Sequence, residues 1–312
     1  MGELRKDYIL DRWAVISSGR AKRPHQFRKE IKDPDFTDRC FFCPGWETDT
    51  PKEHFRINNG KGEWIVRCFP NKFPAVSAPG KSNIETHNRF YTFSDAFGYH
   101  DVVVETRDHK KQLWDLSTDG IKLVWQAYIR RFNELKGKEG ISYVMIFKNH
   151  GREAGTSIMH SHSQIAAYNK IPEIVQQKAD AVKKYDRCPY CEIIQKEKDS
   201  HRRCFENEKF IAFCPYASRF PFELLVMPKG HLTQIDELDL DCLADIMKKI
   251  LWKLKELNAA YNYIIHYSPK DENLHFQIEI IPRLSVWAGF EFNGTVINSM
   301  PPEDAAKFYR GE

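Results

Sequence analysis

An internal repeat limits what this chain can fold into more than any single motif does. Laid beneath the stretch from Cys40, the stretch from Cys188 opens the same way, CFFC (Cys40, Cys43) against CPYC (Cys188, Cys191). FPNKFPA then matches CPYASRFPF, and VVVETRDH, ending at His109, matches LLVMPKGH, ending at His231. Twelve residues beyond each histidine an amphipathic pattern begins: Ile121, Val124, Trp125, Tyr128, Ile129, Phe132 and Leu135 in copy one, Leu243, Ile246, Met247, Ile250, Leu251, Leu254 and Leu257 in copy two. The offsets are identical and trace one face of a helix. Each copy closes with two β-rich runs, SYVMIFKN then HSHSQIAA, and NYIIHYSP then HFQIEIIP. A unit of this kind hides one sheet face under its helix, so the sequence predicts an α+β fold of two halves on antiparallel sheet. Joining the halves edge to edge would remove exposed strand edges. The segment from about Tyr168 to Arg187, rich in Lys, Gln and Asp, reads as the connector.

The matched cysteines and histidines predict metal. Zinc takes about four thiolate or imidazole ligands in a tetrahedron. Copy one offers Cys40, Cys43, His109 and His160, and copy two offers Cys188, Cys191, His231 and His275. A lone C-x-x-C is weak, but four ligand types kept in order on one frame are not. A redox role for either pair expects a thioredoxin-like βαβ context that neither has. Cys68, Cys204, Cys214 and Cys242 read as small hydrophobes.

On a strand His160, His162 and Gln164 share one face. In copy two His275 stands for His160, but Gln277 stands for His162 and Glu279 for Gln164. The ligand is kept and the second histidine is not, which points to a role for His162 other than holding metal. A neutral imidazole whose other nitrogen is held as N–H by a carbonyl is a competent nucleophile toward phosphorus. Gln164 suits a neutral donor to a phosphate oxygen, where a carboxylate would repel the substrate. Copy two reads as structural.

Composition narrows the remaining classes. With 47 basic and 43 acidic residues the net charge of +4 is too slight for a nucleic-acid surface, though a small anionic substrate suits it. No stretch approaches the ~18 apolar residues of a membrane span. The start, MGELRKDYILDRW, has no apolar leader core, and Lys6 stands where a myristoylation signal wants Ser or Thr, so the expected compartment is the cytoplasm.

These residues resemble the galactose-1-phosphate uridylyltransferase family of the histidine-triad superfamily, whose active strand reads His-x-His-x-Gln. The resemblance runs from LRKDYILDRWAVIS and RAKRPH to AGFEFNGTVINSMPPEDAA. It implies duplicated histidine-triad-like halves, a half-barrel of antiparallel sheet with helices packed on it. Residues 1–170 would form the catalytic half, and 171–312 a half with a structural zinc and a sugar-contacting tail. It implies double displacement: His162 takes the nucleotidyl group from a nucleotide-sugar, releases a hexose 1-phosphate, and passes the group to another sugar phosphate. By the same resemblance Arg20, Arg23, Asn71, Asn149 and Ser157 contact nucleotide and phosphate, and Phe290 and Glu291 contact the hexose. Two zinc ions per chain and a homodimer are implied. Cys188 and Cys191, and Ser285 where the best-known members place Lys, are more like the branch that includes ADP-glucose phosphorylase. The expected activity is exchange of UMP between UDP-glucose and galactose 1-phosphate. An ADP-sugar phosphorylase using the same histidine is the alternative, and a non-catalytic, zinc-stabilised nucleotide-binding module a third reading.

Overall fold

The computed structural model describes residues 2–17 and 40–312. The first half contributes β3 (Phe55–Asn58), β4 (Trp64–Pro70), β7 (Gly98–Val104), α1 (Thr118–Leu135), β8 (Tyr143–His150) and β9 (His162–Tyr168). The second contributes β10 (Arg203–Glu206), β11 (Phe210–Phe213), β12 (Leu224–Pro228), α4 (Leu240–Glu256), β13 (Tyr261–His266) and β14 (Gln277–Pro282). These ten strands make one sheet, in the order β10-β11-β12-β14-β13-β8-β9-β7-β4-β3, with every pairing antiparallel. The halves meet at β8 and β13, where Ile146 faces Ile265 and His150 faces Tyr261. The expected edge-to-edge union is therefore the centre of the molecule.

Both long helices lie on one face of this sheet and pack against each other. Their starts are fixed by matched caps: Ser117 Oγ accepts from the Gly120 N–H, and Asp239 Oδ1 accepts from the Cys242 N–H. The turns before them carry matched capping boxes, Gln112 with Asp115 and Gln234 with Glu237. The predicted stripes are the buried faces, except that Ile129 and Leu257 are only partly covered. One apolar core runs under both helices, from Val103, Trp125 and Phe132 to Ile250, Leu254 and Phe276.

The remaining elements are added around this sheet and its two helices. The segment read as the connector contains α2 (Glu173–Val182), and α3 (Pro189–Lys198) follows Cys188. Strands β1 (Glu3–Lys6) and β2 (Trp13–Ile16) form a hairpin that pairs with β15 (Val296–Asn298) near the C-terminus. A small hairpin of β5 (Glu85–His87) and β6 (Tyr91–Phe93) projects from the first half, and α5 (Pro302–Arg310) packs beside β10.

Candidate active site and metal centres

The repeat brings its ligand types together in both halves. In Cys40, Cys43, His109 and His160, and again in Cys188, Cys191, His231 and His275, the candidate ligand atoms all lie within 4.8 Å of one another. In the first cluster His160 Nδ1 is 3.6 Å from Cys40 Sγ and 3.5 Å from Cys43 Sγ, and Cys43 Sγ is 3.3 Å from His109 Nδ1. In the second the sulfur–nitrogen distances are 3.6–3.7 Å, and His231 Nδ1 lies 3.3 Å from His275 Nδ1. A zinc tetrahedron with sulfur at about 2.3 Å and nitrogen at about 2.0–2.1 Å has edges of roughly 3.3–3.8 Å, so the donor sets fit.

Protonation agrees. His160 Nε2 is 2.7 Å from the Thr106 carbonyl and His275 Nε2 is 2.9 Å from that of Pro228, which fixes the proton on Nε2 and leaves Nδ1 as the donor atom. Burial pulls both imidazoles down to about 4, into the neutral form a metal needs. Burial, with the neighbouring Cys40 sulfur, pushes the Cys43 thiol up to about 12, and burial beside Cys188 pushes Cys191 to about 11. A cation in each cluster would reverse that. The eight cysteines are all free thiols.

His162 stands outside the first cluster. It begins β9 on the face away from α1, is 8 % exposed, and places Nδ1 2.8 Å from the carbonyl oxygen of His160. The proton therefore sits on Nδ1, and the Nε2 lone pair is the free one. Burial lowers its proton affinity, keeping it neutral. Phe42, between the two cysteines of CFFC, meets its ring edge-on at 5.3 Å. The crevice beside it is lined by Gln112, Asn149, His150, Gly151, Thr156 and Ile158, among others. Gly151 turns the chain there with φ +84°, and a Cβ would meet that of Ala260 at 2.6 Å.

Gln164 is oriented by a residue that sequence reasoning missed. His100 Nδ1 accepts from the Ala75 N–H at 3.0 Å, so its Nε2–H donates to Gln164 Oε1 at 2.9 Å. The Gln164 amide nitrogen is left as the outward donor. Asn71 is drawn to the same histidine, its N–H donating to the His100 carbonyl at 2.7 Å and its Nδ2 lying 3.5 Å from Nε2. Asn149 borders the crevice, its Oδ1 accepting from Asn262 at 2.8 Å, so its amide protons remain to donate. Ser157 is exposed in the loop between the crevice residues Thr156 and Ile158. Phe290 and Glu291 do not line this crevice; Phe290 is 52 % exposed, and Glu291 accepts from the Ala288 N–H at 2.9 Å. Arg20 and Arg23 lie outside the described residues.

The matching face of copy two is closed. Lys178, on α2, donates to Gln277 Oε1 at 2.9 Å and lies 3.5 Å from Glu279. Arg219 also bonds Glu279; burial would raise that carboxyl, but Arg219 and Lys178 hold it well below the usual range. The groups that stand for His162 and Gln164 are thus consumed by internal contacts.

Fold and site define a duplicated α+β chain with two Cys2His2 clusters, one half of which keeps an open histidine. A family model for galactose-1-phosphate uridyl transferase, N-terminal domain, matches residues 2–172, and the chain belongs to that family. It is 36% identical to ADP-glucose phosphorylase of Arabidopsis thaliana, over 99% of this chain and 92% of that one. It is 28% identical to galactose-1-phosphate uridylyltransferase of Thermotoga maritima, over 99% of this chain and 98% of the other. A crystal structure of the Arabidopsis thaliana ADP-glucose phosphorylase with bound ADP-glucose superposes with a TM-score of 0.86 at 35% identity, covering 100% of this chain and 99% of that one.

Proposed function

We propose that the chain is a nucleotidyltransferase in which Nε2 of His162 attacks the α-phosphorus of a nucleoside-diphosphate hexose. The bond from that phosphorus to the bridging oxygen breaks, and hexose 1-phosphate leaves. An acceptor phosphate oxygen then attacks the nucleotidyl-histidine, the P–N bond breaks, and neutral His162 is restored. The single observation that carries this reading is the Nδ1–His160 carbonyl contact, which leaves Nε2 of His162, a residue that lines the crevice, as the free lone pair. On this reading the amides of Gln164 and Asn149, whose oxygens are already bonded, donate to phosphate oxygens as charge builds. Zinc is proposed in both clusters; in the first it would hold the segment bearing His160, just before β9, to the CFFC loop. Residues 1–170 are the proposed catalytic half and 171–312 the structural one. The family resemblance further suggests a cytoplasmic homodimer, with Arg20, Arg23 and Ser157 contacting phosphate and Phe290 and Glu291 contacting hexose.

Two donors suit this chemistry. Exchange of UMP between UDP-glucose and galactose 1-phosphate is supported by the family and by relatives of that activity. Transfer of AMP from ADP-glucose to inorganic phosphate is supported by the 36% identity to the Arabidopsis thaliana phosphorylase. Incubation with UDP-glucose or ADP-glucose, each radiolabelled at the α-phosphorus, separates them. Covalent labelling of the wild type and none of His162→Ala is expected; wild-type labelling of the variant would falsify the assignment. The donor that labels, and the acceptor that discharges the label, name the activity. Tight nucleotide binding with no adduct would mark a binding module instead.

A further inference from the structure

The sheet face under α1 carries a buried polar cluster directly beneath the His162 strand. Lys148, on β8, and Glu105, just beyond β7, form an ion pair at 2.5 Å with side chains 1% and 0% exposed. Ser161 Oγ bonds Glu105 Oε2 and accepts from Lys148 at 3.1 Å, while Ser163 and Tyr128 bond Glu105 Oε1. Tyr263, from β13 of the other half, reaches Tyr128.

The repeat supplies an internal control. With His160 matched to His275, Ser161 and Ser163 match Phe276 and Ile278. The shared helix offset matches Tyr128 to Ile250. The registers pair Phe147 with Gln164 and Ile264 with Glu279, so one residue further along Lys148 matches Ile265. Four polar side chains in one half stand where the other packs four buried apolar ones. Copy one also uses an extra residue here. From Val103, which pairs with Ser163, to the carbonyl that accepts from the ligand histidine (Thr106) is three steps; from Val226, which pairs with Ile278, to Pro228 is two. That longer stretch carries Glu105.

Packing does not require the cluster, since the fold is satisfied by hydrocarbon at the same places, and a buried ion pair is often no more stabilising than its apolar replacement. What the cluster does touch is the backbone on either side of the nucleophile. The β8–β9 register ends at Phe147 and Gln164, and beyond it the Lys148 ammonium donates to the His162 carbonyl at 3.0 Å. The Glu105 N–H donates to the Ser161 carbonyl at 3.1 Å, and the His160 carbonyl accepts from His162 Nδ1. Three successive carbonyls are thus held by three different donors. We propose that Glu105 and Lys148, with Ser161, are positioning residues that lock the backbone of residues 160–162 and so aim Nε2 of His162 at phosphorus. This rests on the reading of His162 as nucleophile.

The test compares wild type, Lys148→Met and the double variant Glu105→Gln/Lys148→Met. The single variant leaves a buried carboxylate without its cation and should melt lower; the double should regain stability and keep wild-type zinc content. Labelling under single-turnover conditions should nevertheless stay about 100-fold slow in both, the cost of a misplacement on the ångström scale, with little change in nucleotide-sugar affinity. A double variant that labels within about twofold of wild type overturns the proposal. Where the double variant does not fold, Ser161→Ala decides: labelling about tenfold slower is expected, and the wild-type rate overturns it. If even wild type takes no label, the nucleophile reading fails on its own, and the network is judged by NMR. The His162 Nδ1–H proton should exchange with solvent at least about tenfold faster in the variant, and equal exchange overturns the proposal.

Discussion

His100 donates its Nε2 proton to the amide oxygen of Gln164 at 2.9 Å, because its Nδ1 already accepts from the Ala75 N–H. That relay fixes which end of the Gln164 amide is left to donate. His100→Phe keeps the ring and removes the relay, so labelling of His162 should slow about tenfold as the amide loses its fixed orientation. Single-turnover labelling checks this. An unchanged rate would mean that Gln164 is held by other contacts.

Gln164→Glu installs the side chain that copy two carries at Glu279. It replaces the outward donor with a negative charge beside an anionic substrate, and the labelling rate should drop by about 100-fold or more. Circular dichroism and zinc content should match wild type. Retention of rate would remove Gln164 from the site.

The two metal clusters should separate in their consequences. Cys43→Ala and Cys188→Ala are each expected to lower zinc from two per chain to one, read by elemental analysis. Only Cys43→Ala should abolish labelling, since its cluster contains His160, whose carbonyl orients His162. Both should lower the melting temperature, because a structural zinc contributes folding free energy. Full labelling by Cys43→Ala would detach the metal from the nucleophile.

Stability should follow the helix stripes. Leu243 is fully buried on α4, and Leu243→Ala should cost about 2–5 kcal/mol in urea unfolding. Trp252, on the outer side of the same helix, is 49 % exposed, and Trp252→Ala should stay within about 0.5 kcal/mol. Equal losses would contradict the orientation of the helix.

The features legible in the sequence are those the repeat writes twice. Ligand types, helix faces and the strand of His162 could be read because a sister copy showed which positions keep their chemistry. The matched capping boxes at Gln112 and Gln234 carry the same Q-x-x-[DE] signature in both copies. His100 was not legible, since its bearing on Gln164 depends on β7 lying beside β9. The segment read as a plain connector hides α2, because its composition is polar and Lys178, the residue that seals copy two, looks like a surface lysine. Glu105 and Lys148 were hidden for the same reason: a charged side chain carries no mark of burial until its partner is located. The return of β1 and β2 to β15 spans nearly the whole chain and has no local signal.

The seam between β8 and β13 has a further meaning. Two identical subunits joined across such a seam would have to change together, because one gene would write both. Here a single polypeptide supplies both sides, so each side has been free to drift by itself. One side carries Gln277 in place of the second histidine, ties it to Lys178 and lends Tyr263 across the boundary, while the other carries His162.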